Sequence, residues 1–127
     1  MTYLWVALGS ALGGVGRYWI SGLIAHSVGE VFPWGTLVVN VTGSFVIGFV
    51  AFLTASEGRF LIHPDARVFI LVGVCGGYTT FSSFSLQTLM LLRDGDVVRA
   101  SAYIMVSVAV CMAGVWLGAM LGMLLNR

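Results

Sequence analysis

Four long apolar runs, separated by short polar turns, account for nearly the whole chain. Since about 20 apolar residues cross a bilayer as a helix, the runs predict spans over about 3–24, 35–55, 68–92 and 98–125. Small and polar residues recur inside these runs at helical spacing. Gly9, Gly13 and Arg17 stand four apart in the first run and share one face, where the glycines let another helix approach closely. In the second, Thr36, Asn40, Ser44 and Gly48 draw a stripe that Gly43 widens. The fourth has two faces: Gly114, Gly118 and Gly122 for close packing, and Tyr103, Ser107 and Cys111 as a stripe that is polar at its start.

The third run breaks the pattern. Its middle reads Gly76-Gly77-Tyr78-Thr79-Thr80-Phe81-Ser82-Ser83-Phe84-Ser85. Adjacent glycines free the backbone to leave helical geometry, so a break is expected at the pair. Lipid cannot satisfy the N–H and C=O groups that a break releases, so this stretch must face protein, water or an ion. Beyond it a resumed helix carries Phe81, Phe84, Ser85 and Thr88 on one face. Packing is the plain reading of two phenylalanines three apart. Sharing a face with hydroxyls sets this pair apart.

Composition narrows the class. The chain of 127 residues is 59% hydrophobic, with mean hydropathy +1.01 and 9% charged residues; soluble domains carry about 25% charged. This is an all-α integral membrane protein, one transmembrane domain over 1–127. The acids, Glu30, Glu57, Asp65, Asp94 and Asp96, all fall in the turns. A small multidrug exporter, which needs a carboxylate at membrane depth, is therefore disfavoured. Cys75 and Cys111 read as inert buried thiols, His26 and His63 as solvated loop residues. No basic stripe with interleaved aromatics suggests nucleic acid, and nothing suggests an enzyme or an ATP-coupled pump.

Arg17 is the one charge placed well inside a span. It lies about 12 Å from the helix end, the limit of snorkelling, so an interior role is expected. Arg17, Asn40, the hydroxyls and the phenylalanine edges form a donor-rich set suited to an anion, since ring edges are electropositive. Backbone carbonyls freed at the break suit a cation instead. A purely structural membrane subunit would explain the glycine faces but not this set. Arginines divide almost evenly between the two ends: Arg59, Arg67 and Arg127 at one, Arg93 and Arg99 at the other. So weak a bias allows insertion both ways and predicts an antiparallel, dual-topology homodimer.

Taken with its spacing, the sequence resembles the fluoride-channel family known as Fluc or CrcB. The resemblance rests on Gly13 to Arg17 followed by Tyr18-Trp19, on Gly35-Thr36-Leu37 with Asn40, and above all on Gly76-Gly77-x-Thr79-Thr80-Phe81-Ser82-x-Phe84-Ser85. It extends over essentially the whole chain. It implies an antiparallel homodimer in the bacterial inner membrane, with two fluoride pores, that passively exports F⁻ and lowers fluoride toxicity. Phe81 and Phe84 would flank fluoride; Asn40, Thr36, Thr80 and Ser83 would line the pore; Tyr103 and Ser107 would belong to a polar track. Arg17 would stand at the vestibule. Carbonyls of Gly76 and Thr79 from both copies would hold a structural Na⁺. Three positions depart from the family's pattern. Gln87 replaces a frequent Glu and is given no role, and Cys111 and Val115 stand where hydroxyls often continue the track.

Overall fold

The computed structural model describes residues 1–127 and contains helices and turns but no strand. The helices are α1 (Thr2–Val28), α2 (Trp34–Leu53), α3 (Pro64–Val68), a π-helical segment (Phe69–Cys75), α4 (Gly76–Tyr78), α5 (Phe81–Arg93) and α6 (Val97–Leu125). Three stretches are long and apolar enough to cross a membrane: Trp34–Leu53, Pro64–Arg93 and Val97–Leu125. α1 has 27 residues. Length is not what sets it apart; Arg17 and its many glycines dilute its apolar character.

Local chemistry explains the helix ends. Gly29, at φ +83°, closes α1 in the left-handed region that glycine tolerates. Pro64 opens α3, where its missing N–H costs nothing, and His63 Nδ1 accepts from Asp65 N at 3.2 Å. Gly95, at φ +80°, turns the chain between α5 and α6. Asp96 then caps α6 by accepting from Arg99 N at 3.0 Å and from Arg99 Nη1 at 2.9 Å. The backbone N–H of Arg99 holds the Asp96 carboxyl below the usual carboxylate range.

Packing runs along the glycine faces. α2 makes its most extensive contact with α6. There, a Cβ added at Gly114 would come within 3.2 Å of Val41 O, and one at Gly122 within 2.5 Å of Phe49 O. α1 lies against the π segment, with Gly9 and Gly73 facing each other so closely that a Cβ on either would meet the other's Cα at 2.8 Å. Such approaches are the familiar use of small residues between membrane helices. The loop after α2 is tied to the C-terminus: Arg59 N donates to Asn126 Oδ1 at 2.6 Å, and Asn126 Nδ2 donates to Phe52 O at 3.2 Å. The α1–α2 and α5–α6 turns therefore lie together at the opposite end.

The break in the third run is not where the glycines suggested. Gly76 and Gly77 are helical, and the chain leaves the helix at Thr79 (φ −80°, ψ 156°) and Thr80 (φ −150°, ψ 117°). Gly77 serves contact rather than bending: a Cβ there would lie 2.6 Å from Ser10 O. The π segment before it was not expected either. Such wide turns often mark functional helices.

Candidate functional site: a clipped helix break between two cavities

The site is built around the two extended residues. In an uninterrupted helix Thr80 N would donate to Gly76 O. It donates instead to Asn40 Oδ1 at 2.8 Å, while Asn40 Nδ2 donates back to Thr80 O at 3.0 Å. One amide on α2 thus satisfies both backbone groups of Thr80. A primary amide carries two N–H donors, so one N–H of Asn40 remains for another partner. The neighbouring groups are also fastened. Thr79 N and Oγ1 both donate to Cys75 O, at 3.0 and 2.9 Å. Thr80 Oγ1 caps α5 by accepting from Ser83 N at 3.2 Å. Arg17 Nε donates to Gly77 O at 3.3 Å, so a cation from α1 sits at the carbonyl end of α4. Gly43 clears the space for this arrangement, since a Cβ there would strike Thr79 Cγ2 and meet Tyr78 Cδ2 at 3.0 Å.

Two cavities meet at Thr80. A vestibule of about 670 Å³ opens toward the end with the α1–α2 and α5–α6 turns; Arg17, Thr36, Thr80, Ser83 and Gln87 supply its inner polar groups. A groove of about 310 Å³ lies on the other side, and its walls include Asn40, Ser44, Thr79, Thr80, Phe81 and Ser107. Phe84 and Cys111 also line that groove. Phe81 and Phe84 have ring centroids 5.5 Å apart, tilted at 60°. Phe84 is buried, whereas Phe81 is 78% exposed.

Tyr103 has no exposed surface and stands between these regions. Its ring meets Phe84 edge-on at 5.0 Å and Phe32 at 5.4 Å, and its hydroxyl donates to Gln87 Oε1 at 2.9 Å. One helical turn on, Ser107 Oγ is buried with no hydrogen-bond partner. The structure therefore gathers Asn40, Thr80, Phe81, Phe84 and Ser107 at one groove, and Arg17, Thr36 and Ser83 with Thr80 at the vestibule. Tyr103 is sealed inside between them. Gly76 is exposed, and Thr79 partly so, on the flank of the break. Sequence reasoning left Gln87 without a role. Its signal was available: Gln87 and Tyr103 are equidistant from the Gly95 turn, so an antiparallel α5–α6 pair sets them opposite each other.

Fold and site together define a multi-pass helical membrane protein with a donor-rich polar break and no carboxylate beside it. Residues 4–119 match the family model described as CrcB-like protein, Camphor Resistance (CrcB), and the chain belongs to that family. It is 52% identical over 127 residues to the Fluoride-specific ion channel FluC of Methylocella silvestris, covering all of this chain and 97% of that protein. Identity to the protein of the same name in Rhodospirillum rubrum is 58%, over all of this chain and 98% of the relative. With that of Opitutus terrae it is 62% over 116 residues, 91% of this chain and 88% of the relative. Family membership and the apolar helices make this a multi-pass protein of the bacterial inner membrane.

Proposed function

We propose that this chain forms a passive, fluoride-selective channel that lets F⁻ leave the cytoplasm down its electrochemical gradient. The observation that carries the reading is the unpartnered Ser107 Oγ, buried in a groove with a spare Asn40 N–H, two phenylalanines and no acid. A buried hydroxyl without an acceptor is costly, and an anion is an acceptor. A small, strongly hydrated anion gives up water only to donors at close range. Neutral HF crosses the bilayer unaided and dissociates in the neutral cytoplasm. The trapped ion then leaves past Arg17, Thr36, Thr80 and Ser83, the phenylalanine edges, Asn40, and the Tyr103–Ser107 track. None of these residues couples passage to ATP or to a proton, so transport is electrogenic and there is no catalysis. The relatives' names support the substrate.

The working unit is an antiparallel homodimer with two pores, in which α1 serves as a fourth span. A polar groove left open to lipid would strand backbone and hydroxyl groups, and a second copy relieves that cost. The balanced arginines allow both orientations. Appending several arginines to one terminus should abolish assembly; an undisturbed dimer would sink the dual-topology reading. Gly76 and Thr79 of both copies fit a structural Na⁺. Asn40 diverts Thr80 N from the Gly76 carbonyl, nothing crowds Gly76, and carbonyl oxygens suit a hard cation. When bound, the ion would supply positive charge that binds the two breaks together.

The test is efflux from proteoliposomes with a potassium ionophore to balance charge. Fluoride should leave rapidly only when the ionophore is present, and chloride should stay. Vesicles prepared with N-methylglucamine in place of sodium should be silent. No fluoride-selective, ionophore-dependent efflux from monodisperse protein would overturn the channel; full efflux without sodium would remove only the ion.

A further inference from the structure

We infer that Tyr78 is a positioning residue that sets the backbone of the break for a cation, through its hydroxyl on Thr42 and its ring between two helices. This rests on the structural Na⁺ reading above. Tyr78 fills the one position that the Gly76-Gly77-x-Thr79-Thr80 motif leaves open. It is the last helical residue before the extended pair, and it lies between Gly76 and Thr79, whose carbonyls suit the ion. Thr79 O accepts no hydrogen bond from the chain, and Gly76 O has lost its helical donor to Asn40. Neither oxygen has a partner of its own to aim it, so its direction comes from the side chains that hold the segment.

Tyr78 is keyed to both neighbouring helices. One ring edge looks at α1: a Cβ on Gly16 would lie 3.9 Å from Tyr78 Cδ1. The other lies on α2, where a Cβ on Gly43 would meet Cδ2 at 3.0 Å and Cε2 at 3.4 Å. The hydroxyl reaches Thr42 Oγ1 at 2.9 Å. Thr42 Oγ1 is itself 2.8 Å from Val38 O and 3.2 Å from Val39 O. Its hydrogen therefore stays on its own helix, and the Tyr78 hydroxyl donates to it. Thr42 stands near the middle of α2, at a depth where water is scarce, so the phenol hydrogen has no ready substitute partner. α2 thus grips the break on both sides of Thr79: Thr42 holds Tyr78 before it, and Asn40 holds Thr80 after it. Without the hydroxyl bond the ring can slide between Gly16 and Gly43, and the break visits more than one setting. Only the fraction already set would accept the ion, and apparent affinity falls by that fraction.

The test titrates sodium against N-methylglucamine in the detergent-purified full chain and reads the thermal unfolding midpoint, which needs no fluoride flux. A bound ion stabilises the folded protein, so the midpoint rises once sodium exceeds its dissociation constant. Y78F and T42V should each move the onset of that rise to about fivefold higher sodium, the contribution of one neutral hydrogen bond. The double variant Y78F/T42V should match either single one, since both remove the same bond. T42S, which keeps the hydroxyl, should keep the wild-type onset. T42V carries the test alone should Y78F fail to fold. Midpoints lowered equally at every sodium concentration, with the onset unchanged, would make Tyr78 a plain packing residue and overturn the proposal. So would onset shifts that add in the double variant. A wild-type midpoint indifferent to sodium would instead overturn the structural-ion reading, and this inference with it; the channel reading is tested separately by efflux.

Discussion

Asn40→Asp should silence the protein while leaving the helical bundle folded. The two side chains have nearly the same shape, but the carboxylate can serve only half of the clip. It still accepts from Thr80 N. It cannot donate to Thr80 O, which it now faces with negative charge, and it has no N–H left for the groove. One lost, partly buried hydrogen bond together with a repulsive oxygen pair costs on the order of 2–4 kcal/mol. Placed on the transport path, that corresponds to a loss of about thirtyfold or more. The charge itself adds to this by repelling the anion. The remaining contacts of α2, above all its long glycine-mediated contact with α6, do not involve Asn40. The variant should therefore purify as monodisperse protein with normal helical content. Fluoride efflux within about threefold of wild type would remove Asn40 from the pathway and reduce the clip to an ordinary helix–helix bond.

Phe81→Ile should cost transport but not stability, and the contrast with Phe84 makes it informative. Within one chain Phe81 is 78% exposed, while Phe84 is 9% exposed and packs with Leu37 and Tyr103. Truncating Phe84 to Ala removes a core ring, at about 3–5 kcal/mol, so lost efflux there would mix folding with function. Phe81 carries no such burden in the folded chain. Its ring edge is worth about 1 kcal/mol to an electronegative partner, so Ile should lower fluoride efflux about fivefold to tenfold. Thermal unfolding of the detergent-purified protein should be unchanged. Unchanged efflux would mean that Phe81 contacts lipid or a partner copy rather than the ion.

How much of this was legible in the sequence depended on whether a residue's partner is close in the chain or far from it. The glycine faces could be read because close packing of membrane helices has a residue signature, and Gly9, Gly13, Gly114, Gly118 and Gly122 all serve it. The break could be read as present but not as located. Glycine supplies either freedom or proximity, and sequence alone does not say which; at Gly77 it is proximity, to Ser10. The extended residues are Thr79 and Thr80, which adopt that conformation because Asn40, 40 positions away, replaces the helical partner. The π segment has no compositional mark at all. Arg17 was expected in the interior; in the structure it is half-buried, and its bond to the Gly77 carbonyl depends on how α1 docks against the break. Gln87 was overlooked because its chemistry is borrowed from Tyr103, across a turn.

The clip has a consequence for kinetics. A broken helix is commonly pictured as slack chain and a natural hinge. Here the amide of Thr80, its carbonyl, the amide of Thr79 and the carbonyl of Gly77 all have fixed partners, contributed by α1, by α2 and by the helix itself. Bending the chain at this point would break several partly buried hydrogen bonds together. In the channel proposed above, the break would therefore be an aperture of set bore rather than a valve. Domain and helix rearrangements take microseconds to milliseconds, whereas exposed side-chain rotations take picoseconds to nanoseconds. With the backbone fastened, the motions left to accompany each ion are side-chain rotations of the faster kind. In that proposed channel the limit on throughput would fall on how readily the ion exchanges its water for Asn40, Ser107 and the ring edges.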